Sequence, residues 1–507
     1  MDQRLLASDL VYLAPELTLV ISAVVISLID LFLPGRINRT FLGWLTIAGL
    51  AVAAVFVGMR LDLLEPIEFL YQSYRIDNFA NLLKLVLLAG TALIILMSLH
   101  SVKNQDIPHL GEYYYMYLPA VLGGMIMVSS GDLITLFIGL ELLSITSYIM
   151  VAMKKKDSLS NEGAFKYVVL GGISSAILLY GMSFLYGLSG STQLTEINSA
   201  LSEHAGSYGA MIYVAFFLIL AGFGFKIAAA PFHAWAPDVY QGAPTPVAAF
   251  LAVVSKIAAI GLLFRLTYVL FYGVGVNPDQ PIGNDIFLAL SVLAAVSMIA
   301  GNVMALRQKN MKRLLAYSGI ANAGYLLVPI ATEFSFSHAS NFTEFFYYGV
   351  AYMLMNLGAF AVLMMVEATS HSSEIKGFAG LYYRAPWTAF AVVLIILSLA
   401  GLPVTAGFFG KLFIVLGTIQ TQAYWLAAVM VLSSVISYVY YFSIIRQMFM
   451  RSNAKDEQLI ATLPQQVTLW FCALAGVILG LFPGLLIRYA QSVFELTRDL
   501  FMMTGQA

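Results

Sequence analysis

A glutamate and several lysines of this sequence lie well inside long apolar runs, where ionisable side chains are rare. The clearest cases are Glu141, Lys226, Lys256 and Lys411. An ionised group at the centre of a membrane costs about 2.5–3.5 kcal/mol on translocon-based scales, so such residues are candidates for function by default. Structural ion pairing is the main alternative, but it needs fewer buried ionisable groups than this sequence contains.

The types of these residues favour proton transfer. A lysine in water has a pKa of about 10.4, burial can lower that pKa by several units, and a neighbouring carboxylate raises it again. An amine balanced between these effects can load and release a proton near neutral pH, whereas an arginine stays charged. We therefore expect Glu141 to lie beside a lysine of an adjacent helix, and we expect cavity water to join successive lysines.

Lys166 and His233 are auxiliary candidates for the same chemistry. Lys166 lies about one helical turn inside its apolar run, and His233 lies in the segment PFHAWAP, shortly after Lys226. Histidine can relay protons because its pKa is close to neutral.

Ionisable residues nearer the ends of apolar runs are expected to extend to a membrane surface: Lys84, Glu162 and Arg265. Loop histidines are expected to be solvated: His109, His204 and His371.

The composition indicates the elements that must position these residues. Hydrophobic residues make up 60% of the 507 residues and charged residues 10%, against roughly 25% charged in soluble domains. A helix needs about 20 apolar residues to cross a membrane, and the sequence predicts about fourteen such spans. They are 11–33, 41–60, 77–99, 113–130, 132–152, 162–188, 210–233, 244–272, 285–306, 312–331, 343–367, 386–417, 422–448 and 464–490. The connections near 60–76, 189–209 and 368–385 are predicted to be loops or short amphipathic pieces.

Some classes of protein are excluded by composition. The formal net charge is −1, which does not indicate a nucleic-acid partner. The single cysteine, Cys472, excludes a disulfide within the chain and a cysteine-ligated zinc or iron–sulfur site. It is expected to be a small apolar core residue.

Lysine and arginine placement predicts the orientation. With the first loop cytoplasmic, the even-numbered loops hold only Arg60 and Arg75. Because cytoplasmic loops are enriched in basic residues, both termini should face away from the cytoplasm. The odd-numbered loops hold Arg36, Arg39, Lys103, Lys154, Lys155, Lys156, Arg307, Lys309, Lys312, Arg313, Lys376, Arg384, Arg446, Arg451 and Lys455.

Prolines predict that the seventh and twelfth spans are broken helices. Pro231 follows Lys226, and Pro403 precedes Lys411; a proline removes a backbone donor and frees a carbonyl. The sequence AGFGFK ends at Lys226 and AGFFGK ends at Lys411. These spans should run in opposite directions, which predicts two inverted repeats of about five spans each. The predicted organisation is residues 1–110 as an N-terminal three-helix segment, 111–273 and 274–450 as the repeats, and 451–507 as the last span and tail.

Longer motifs resemble a known family. They are GLELLSITSYIMVA around Glu141, KIAAAPFHAWAPDVYQGAPTPVAAFLAVVSK from Lys226 to Lys256, LAGLPVTAGFFGKL around Lys411, EGAFKYVVLGGISSAILLYG and KRLLAYSGIANAG. They are similar to the antiporter-like subunits of respiratory complex I, which share these motifs with multisubunit sodium/proton antiporters. The resemblance covers nearly the whole chain. The opening Leu13–Phe32, a lysine at 411 and an end soon after the last span resemble the subunit N (mitochondrial subunit 2) type.

The resemblance implies a function. Within it, the Glu141–Lys226 pair would control proton uptake as quinone is reduced elsewhere in the complex. Lys256 would be the central relay, Lys411 the exit site and Lys166 a partner near Glu141. NAD, FMN, iron–sulfur clusters and quinone would be bound by partner subunits, with no cofactor or metal in this chain. The partners would be other membrane-arm subunits and the lipid of the cell inner or plasma membrane.

Other functions remain open on the sequence. A sodium/proton antiporter subunit of the same superfamily would show sodium-dependent exchange and would not copurify with NADH dehydrogenase subunits. A transporter of an organic solute would be expected to place substrate-shaped polar and aromatic groups around the helix breaks. A structural spacer with vestigial channel residues would have no need to keep the central ionisable groups.

Overall fold

The fold is helical and suited to a membrane. The structure is a computed structural model that describes residues 9–34, 37–102, 107–271, 274, 282–332, 341–451 and 458–500. Within these residues, 12 helices are long and apolar enough to cross a membrane. The prediction of a helical multi-pass membrane protein is confirmed. Three residues used to predict orientation lie outside the described residues: Arg36, Lys103 and Lys455.

The N-terminal segment consists of three long helices and a hairpin. After a 3₁₀ turn at Asp9–Val11, the elements are α1 (Ala14–Phe32), α2 (Thr40–Gly58), β1 (Ile67–Phe69), β2 (Tyr74–Ile76) and α3 (Asn78–Ser98). The strands are antiparallel, with Ile67 opposite Ile76. The Asp77 carboxylate caps α3 by accepting from the Ala80 amide at 2.7 Å. The prediction of loops or short amphipathic pieces near 60–76 missed this hairpin, because two three-residue strands carry too little pattern to be read from sequence.

Five helices lead to the first break. They are α4 (Leu110–Tyr115), α5 (Tyr117–Val128), α6 (Leu133–Val151), α7 (Ser158–Ser189) and α8 (Leu194–Lys226). Gly190, at φ 69°, ends α7 in the left-handed region that suits glycine. Non-helical dihedrals at Tyr208 mark a kink within α8. The connection predicted near 189–209 is therefore largely helical.

The seventh predicted span, 210–233, is interrupted earlier than its predicted end. Helix α8 stops at Lys226, and the chain resumes helical structure in α9 (Ala236–Gly242) and α10 (Thr245–Phe250). It continues through a π-helix (Leu251–Ser255), α11 (Lys256–Leu266) and a second π-helix (Thr267–Phe271). The break extends upstream of Pro231 because the chain turns at Ala228, whose φ of 55° is left-handed.

The second half contains another break. Its helices are α12 (Ile282–Ala305), α13 (Met311–Ala331), α14 (Asn341–Ser370), α15 (Leu381–Arg384), α16 (Pro386–Ala400), α17 (Ala406–Gln420), α18 (Tyr424–Met450), α19 (Leu463–Leu481), α20 (Gly484–Val493) and α21 (Leu496–Asp499), with a 3₁₀ turn at Ile375–Phe378. The span predicted over 386–417 is divided between α16 and α17, with Gly401 at φ 81° closing α16. The span predicted over 464–490 is likewise divided, because α19 ends before Pro483.

The two similar lysine motifs occupy different places relative to their breaks. Residues Ala221–Lys226 form the last turns of α8, before the first break. Residues Ala406–Lys411 form the first turns of α17, after the second break. The local sequence match therefore does not give the two lysines the same helical position.

Several basic side chains expected at membrane surfaces or in loops are buried ion pairs instead. Lys84 is 2% exposed and binds Glu16 at 2.8 Å. Arg265 is fully buried, and its Nη2 binds both Asp77 oxygens at 2.7 and 2.8 Å. Lys312, counted among the loop residues, lies within α13 and pairs with Glu367 at 3.5 Å. The predictions for these residues were wrong because each has a partner carboxylate that is distant in sequence.

The hydroxyl of Tyr74 completes the Lys84 cluster. It donates to Glu16 at 2.7 Å and accepts from Lys84 at 3.0 Å. Burial, reinforced by the Glu16 carboxylate, raises the pKa of Tyr74 well above its usual value. The phenol therefore stays neutral and joins the opposite charges of helices α1 and α3.

Candidate functional site

Lys226 ends α8 with its amine directed at α6. Its side chain is 5% exposed, and its Nζ donates to the Ser144 hydroxyl. The amine also lies 5.6 Å from the centre of the Tyr148 ring, one turn further along α6. This cation–π contact and the negative C-terminal end of α8 both favour a cation at this point.

Glu141 lies close to Lys226 but does not bind it directly. It precedes Ser144 on the same face of α6, and its Oε1 accepts from Ser175 of α7 at 2.5 Å. Glu141 and Lys226 interact electrostatically, although no ion pair within 4.0 Å joins them in the described structure. Ser144, three residues after Glu141 on α6, accepts from the amine instead, and the pairing of Glu141 with Lys226 stays a prediction.

The break after Lys226 is held by side chains that satisfy the freed backbone. The Trp235 indole donates to the Phe225 carbonyl at 2.9 Å. The Ala230 amide donates to the Ser297 hydroxyl on α12, also at 2.9 Å. Non-helical backbone is tolerated at membrane depth only when protein or cavity water satisfies it. The aromatic and hydroxyl side chains thus fix the end of α8 and the position of its lysine.

Lys256 begins α11 directly after a π-helix. It is 2% exposed, and its Nζ donates to the Gly319 carbonyl of α13 at 2.6 Å. A methyl group at Gly319 would come within 3.1 Å of this nitrogen and 3.2 Å of the Tyr352 hydroxyl. π-Helical turns occur often at functional sites, and this one places a buried amine in a neutral setting of carbonyl and phenol groups.

Lys411 lies in α17 against the end of α16. Its Nζ is 3.4 Å from the carbonyl oxygens of Leu399 and Ala400 and 4.7 Å from the centre of the Tyr325 ring. Carbonyls at a helix C-terminus lack amide partners within the helix and carry partial negative charge. The second break therefore supplies carbonyl acceptors for Lys411, the third of the candidate relay lysines.

A network of hydroxyl and amide groups connects the surroundings of Lys256 and Lys411. Ser318, next to Gly319, contacts the Tyr441 hydroxyl at 2.5 Å and accepts from the Asn322 amide at 3.3 Å. The Tyr348 hydroxyl donates to Asn322 at 2.5 Å. The Tyr348 ring packs edge-on against Tyr325, the ring that faces the Lys411 amine. No hydrogen bond among the described residues joins Lys226 to Lys256 in a similar way.

Comparisons with known proteins place the chain. The family described as NADH:quinone oxidoreductase/Mrp antiporter, TM, matches residues 130–437. NADH-quinone oxidoreductase subunit N of Paenibacillus sp. (strain JDR-2) is 53% identical, covering 97% of this chain and 98% of the relative. The chain belongs to the NADH:quinone oxidoreductase/Mrp antiporter family. Subunit N of Brevibacillus brevis (strain 47) is 48% identical, covering 97% of this chain and 96% of the relative.

Solved structures share the family fold. A chain of respiratory complex I from Thermus thermophilus with bound aureothin is 29% identical, with a TM-score of 0.77 over 95% of this chain and all of that chain. A chain of the Mrp complex from Dietzia sp. DQ12-45-1b has a TM-score of 0.81 over 97% of this chain and 98% of that chain. At 18% identity, the second likeness shows the fold alone.

The auxiliary candidates of this family member lie apart from the buried lysines. Lys166 has a side chain that is 38% exposed and binds Glu162 at 2.7 Å and Asp238 at 2.6 Å. Lys166 was expected to be a partner near Glu141, but its ion-pair partners are Glu162 and Asp238. His233 is half-buried, with its Nε2 3.4 Å from the Met304 sulfur, in the break that follows α8.

The structure also brings forward ionisable residues that sequence reasoning missed. Glu367 accepts from Thr245 and Ser373, both at 2.5 Å, besides its pair with Lys312. Glu344 is 4% exposed in the first turn of α14. The predicted span began at residue 343, so Glu344 lay at its boundary and was not singled out. Its burial could be seen only once the packing of the helices was known. Among the described residues, no group of three or more His, Cys, Asp or Glu side chains could hold a metal ion.

Proposed function

We infer that this chain is a proton-translocating membrane-arm subunit of an NADH:quinone oxidoreductase. The observation that carries this inference is a contrast among the buried cations. Lys84, Arg265 and Lys312 are each paired with a carboxylate. The amines of Lys226, Lys256 and Lys411 instead contact hydroxyl, carbonyl and aromatic groups: Ser144, Gly319, Leu399, Ala400, Tyr148 and Tyr325.

This contrast separates two uses of a buried amine. An ion pair that loses one charge leaves an uncompensated partner, which costs about 3–5 kcal/mol. An amine among neutral groups can lose its proton without leaving such a partner. The neutral settings of Lys256 and Lys411 are therefore compatible with both protonation states of lysine, as a proton relay requires. Lys226 interacts electrostatically with Glu141 but is not bound by it.

The proposed path begins at Glu141 and Lys226, continues to Lys256 and ends at Lys411. A change in the electrostatic field at Glu141 would alter the proton affinity of the Lys226 amine, which is bound to Ser144. Moving one charge against 100 mV costs about 2.3 kcal/mol, and about 1.4 kcal/mol corresponds to one pKa unit. A swing of one to two pKa units at this pair is therefore of the required size. His233 and Lys166 are proposed as auxiliary groups.

The chemistry of electron transfer is assigned to other subunits. The relatives named NADH-quinone oxidoreductase subunit N support partner subunits that bind NAD, FMN, iron–sulfur clusters and quinone. Neighbouring antiporter-like and small membrane subunits would cover part of the exposed apolar helix surface, and lipid the rest. The role of this chain is confined to binding, holding and moving protons.

The test is NADH-driven proton pumping by the intact complex in sealed vesicles. Lys226→Ala is expected to lower the number of protons pumped per NADH oxidised, because the first relay amine is removed. Lys155→Ala, at an exposed position, is the matched control and should pump normally. Unchanged stoichiometry in an assembled Lys226→Ala complex would count against the function.

A sodium/proton antiporter subunit is the alternative, favoured by the shared fold of the Mrp complex chain. Mild extraction and identification of copurifying proteins distinguishes the two functions. NADH dehydrogenase subunits should copurify under the leading proposal. Their absence, together with sodium-dependent proton exchange, would establish the alternative.

We also propose a finer topology of about fourteen spans with both termini on the non-cytoplasmic side. The consecutive helices α4 and α5 would form one span, and α16 and α17 another. Residues 111–273 and 274–450 would be inverted repeats between the N-terminal segment 1–110 and the C-terminal segment 451–507. Labelling of single cysteines at exposed loop positions from each side of the membrane tests this arrangement, and labelling from the cytoplasmic side at the C-terminal end would overturn it.

A further inference from the structure

Glu344 is a buried acid that the proposed path does not use. Its side chain is 4% exposed in the first turn of α14. It has no ion pair or hydrogen bond with another side chain or backbone group among the described residues. Other carboxylates of the chain, such as the buried Asp77 and the partly buried Glu367, are held by basic and hydroxyl partners. A buried acid without such partners is costly and needs an explanation.

The position of Glu344 is set by the packing of α14 against α17. A methyl group at Gly417 would lie 2.7 Å from both carboxylate oxygens of Glu344. Glycine at this position therefore leaves the space that the carboxyl group occupies. Gly417 follows Lys411 by six residues on α17, which is about 9 Å along a helix axis.

An aromatic side chain occupies the interval between the acid and the lysine. Tyr348 lies one turn after Glu344 on the same face of α14, and a methyl group at Gly410 would lie 2.5 Å from its ring. The same ring packs against Tyr325, whose own ring faces the Lys411 amine. The polar groups described above lead from Lys256 to Lys411 by way of Tyr348. Glu344, one helical turn from Tyr348 on α14, is a further polar group next to this series.

A polar cavity of about 510 Å³ lies at the end of α17, and the carbonyl of Thr332 in its wall accepts from Asn341, three residues before Glu344, at 3.1 Å. Its polar lining comes from Ser291, Thr332, Gln420, Thr421 and Gln422. Thr421 donates to the Gly417 carbonyl at 3.1 Å, so the cavity wall adjoins the glycine against which Glu344 packs. A cavity of this size and polarity is large enough to hold water.

We propose that Glu344 is a proton-transfer residue between Lys411 and this cavity. The proposal rests on the proposed function of the chain. An N–H bond of the Lys411 ammonium breaks, the proton crosses beside the Tyr348 side chain on water that enters the interval, and an O–H bond forms on the Glu344 carboxylate. Lys411 becomes a neutral amine. The O–H bond of Glu344 then breaks, a cavity water takes the proton, and the carboxylate is restored.

The test compares variants of the intact complex in sealed vesicles. Glu344→Gln keeps the shape of the side chain and removes its proton exchange. Its pumping rate is expected to fall by about a hundredfold, the lower end of what a positioned acid–base group contributes. Glu344→Asp keeps an acid and should retain pumping with a shifted pH profile. Glu203→Gln, at an exposed acid of α8, is the matched control.

Lys411→Met provides the comparison that separates this proposal from the proposed function. If both groups act in series, the double variant Lys411→Met with Glu344→Gln should pump no worse than the more impaired single variant. Normal pumping by Glu344→Gln, with pumping lost in Lys411→Met, would refute the role of Glu344 and leave the function intact. Normal pumping by both variants would refute both.

Assembly is checked in each variant by the yield of complete complex. If Glu344→Gln does not assemble, the pH profile of Glu344→Asp decides. A profile identical to that of the unmodified complex would overturn the proposal, because an acid in the proton path imposes its own titration on the rate.

Discussion

Replacing Lys256 and Lys84 by methionine separates functional from structural cations. The two side chains are equally buried, each 2% exposed. Their partners differ, since Lys84 binds the Glu16 carboxylate and Lys256 binds the neutral Gly319 carbonyl. Methionine has nearly the same length as lysine and suits an apolar interior, so both substitutions preserve most of the packing.

The expected stability losses follow from these partners. Lys84→Met leaves Glu16 as an unpaired buried carboxylate, which costs about 3–5 kcal/mol. Lys256→Met removes one hydrogen bond, worth about 1 kcal/mol. The Gly319 carbonyl lies inside α13 (Met311–Ala331) and keeps its helical amide partner. The apolar methionine further offsets that loss, so the net change at Lys256 should stay within about 1 kcal/mol.

Thermal unfolding and proton pumping measure the two effects on the same purified complex. Lys84→Met should lower the unfolding midpoint or the yield of assembled complex, and the complex that does assemble should pump. Lys256→Met should unfold near the original midpoint and lose pumping. Equal destabilisation by the two variants, or normal pumping by Lys256→Met, would refute the distinction between carboxylate-paired and neutral settings.

Further substitutions test other contacts. Asp77→Asn should destabilise the complex by about 3 kcal/mol or more, because it leaves the fully buried Arg265 without a carboxylate; thermal unfolding measures this, with the exposed Asp62→Asn as control, and an unchanged midpoint would contradict it. Gly319→Ala should slow pumping without preventing assembly, because its methyl group would lie 3.1 Å from the Lys256 nitrogen. Gly187→Ala, where a methyl group meets nothing within 4 Å, should pump normally, and equal pumping by the two alanine variants would contradict the steric argument.

The positions of the relay lysines could be predicted from sequence because a charge within an apolar run is a local signal. Glu141, Lys226, Lys256 and Lys411 each stand alone among apolar neighbours, and the membrane makes that placement costly. The helices around them follow from the same local property. Their roles as proton-transfer residues remain predictions, which the pumping experiments address.

Pairing across the fold could not be predicted in the same way. Arg265 and Asp77 are separated by 188 residues, and Lys84 and Glu16 by 68. Each side chain alone resembled a residue near the end of a span. Only the packing of α1, α3 and α11 shows that opposite charges neutralise one another in the interior. For Lys166, the same limitation concealed its pairs with Asp238 and Glu162, and Glu141 was expected as its partner instead.

The ends of the broken helices depend on contacts that sequence pattern does not contain. Pro231 indicated a break, yet α8 ends at Lys226 because the chain already turns at Ala228 and Trp235 reaches back to the Phe225 carbonyl. Apolar residues continue through the break, so hydrophobicity alone extended the span to residue 233. The tertiary contacts of the Trp235 indole and the Ser297 hydroxyl therefore fix the place where the helix stops.

The two legs of the proposed path differ in how protons could cross them. Between Lys256 and Lys411, the side chains of Ser318, Asn322 and Tyr348 are joined to one another by hydrogen bonds, although none of them bonds to either lysine among the described residues. Between Lys226 and Lys256, no hydrogen bond among the described residues provides a comparable link. Proton transfer between Lys226 and Lys256 would therefore depend on water. A change in the hydration of this first leg would affect conduction more strongly than a change in the hydration of the second leg, between Lys256 and Lys411. Since Glu141 and Lys226 lie at the start of this first leg, a rearrangement of that pair would act where the proposed path has the fewest hydrogen-bonded side chains.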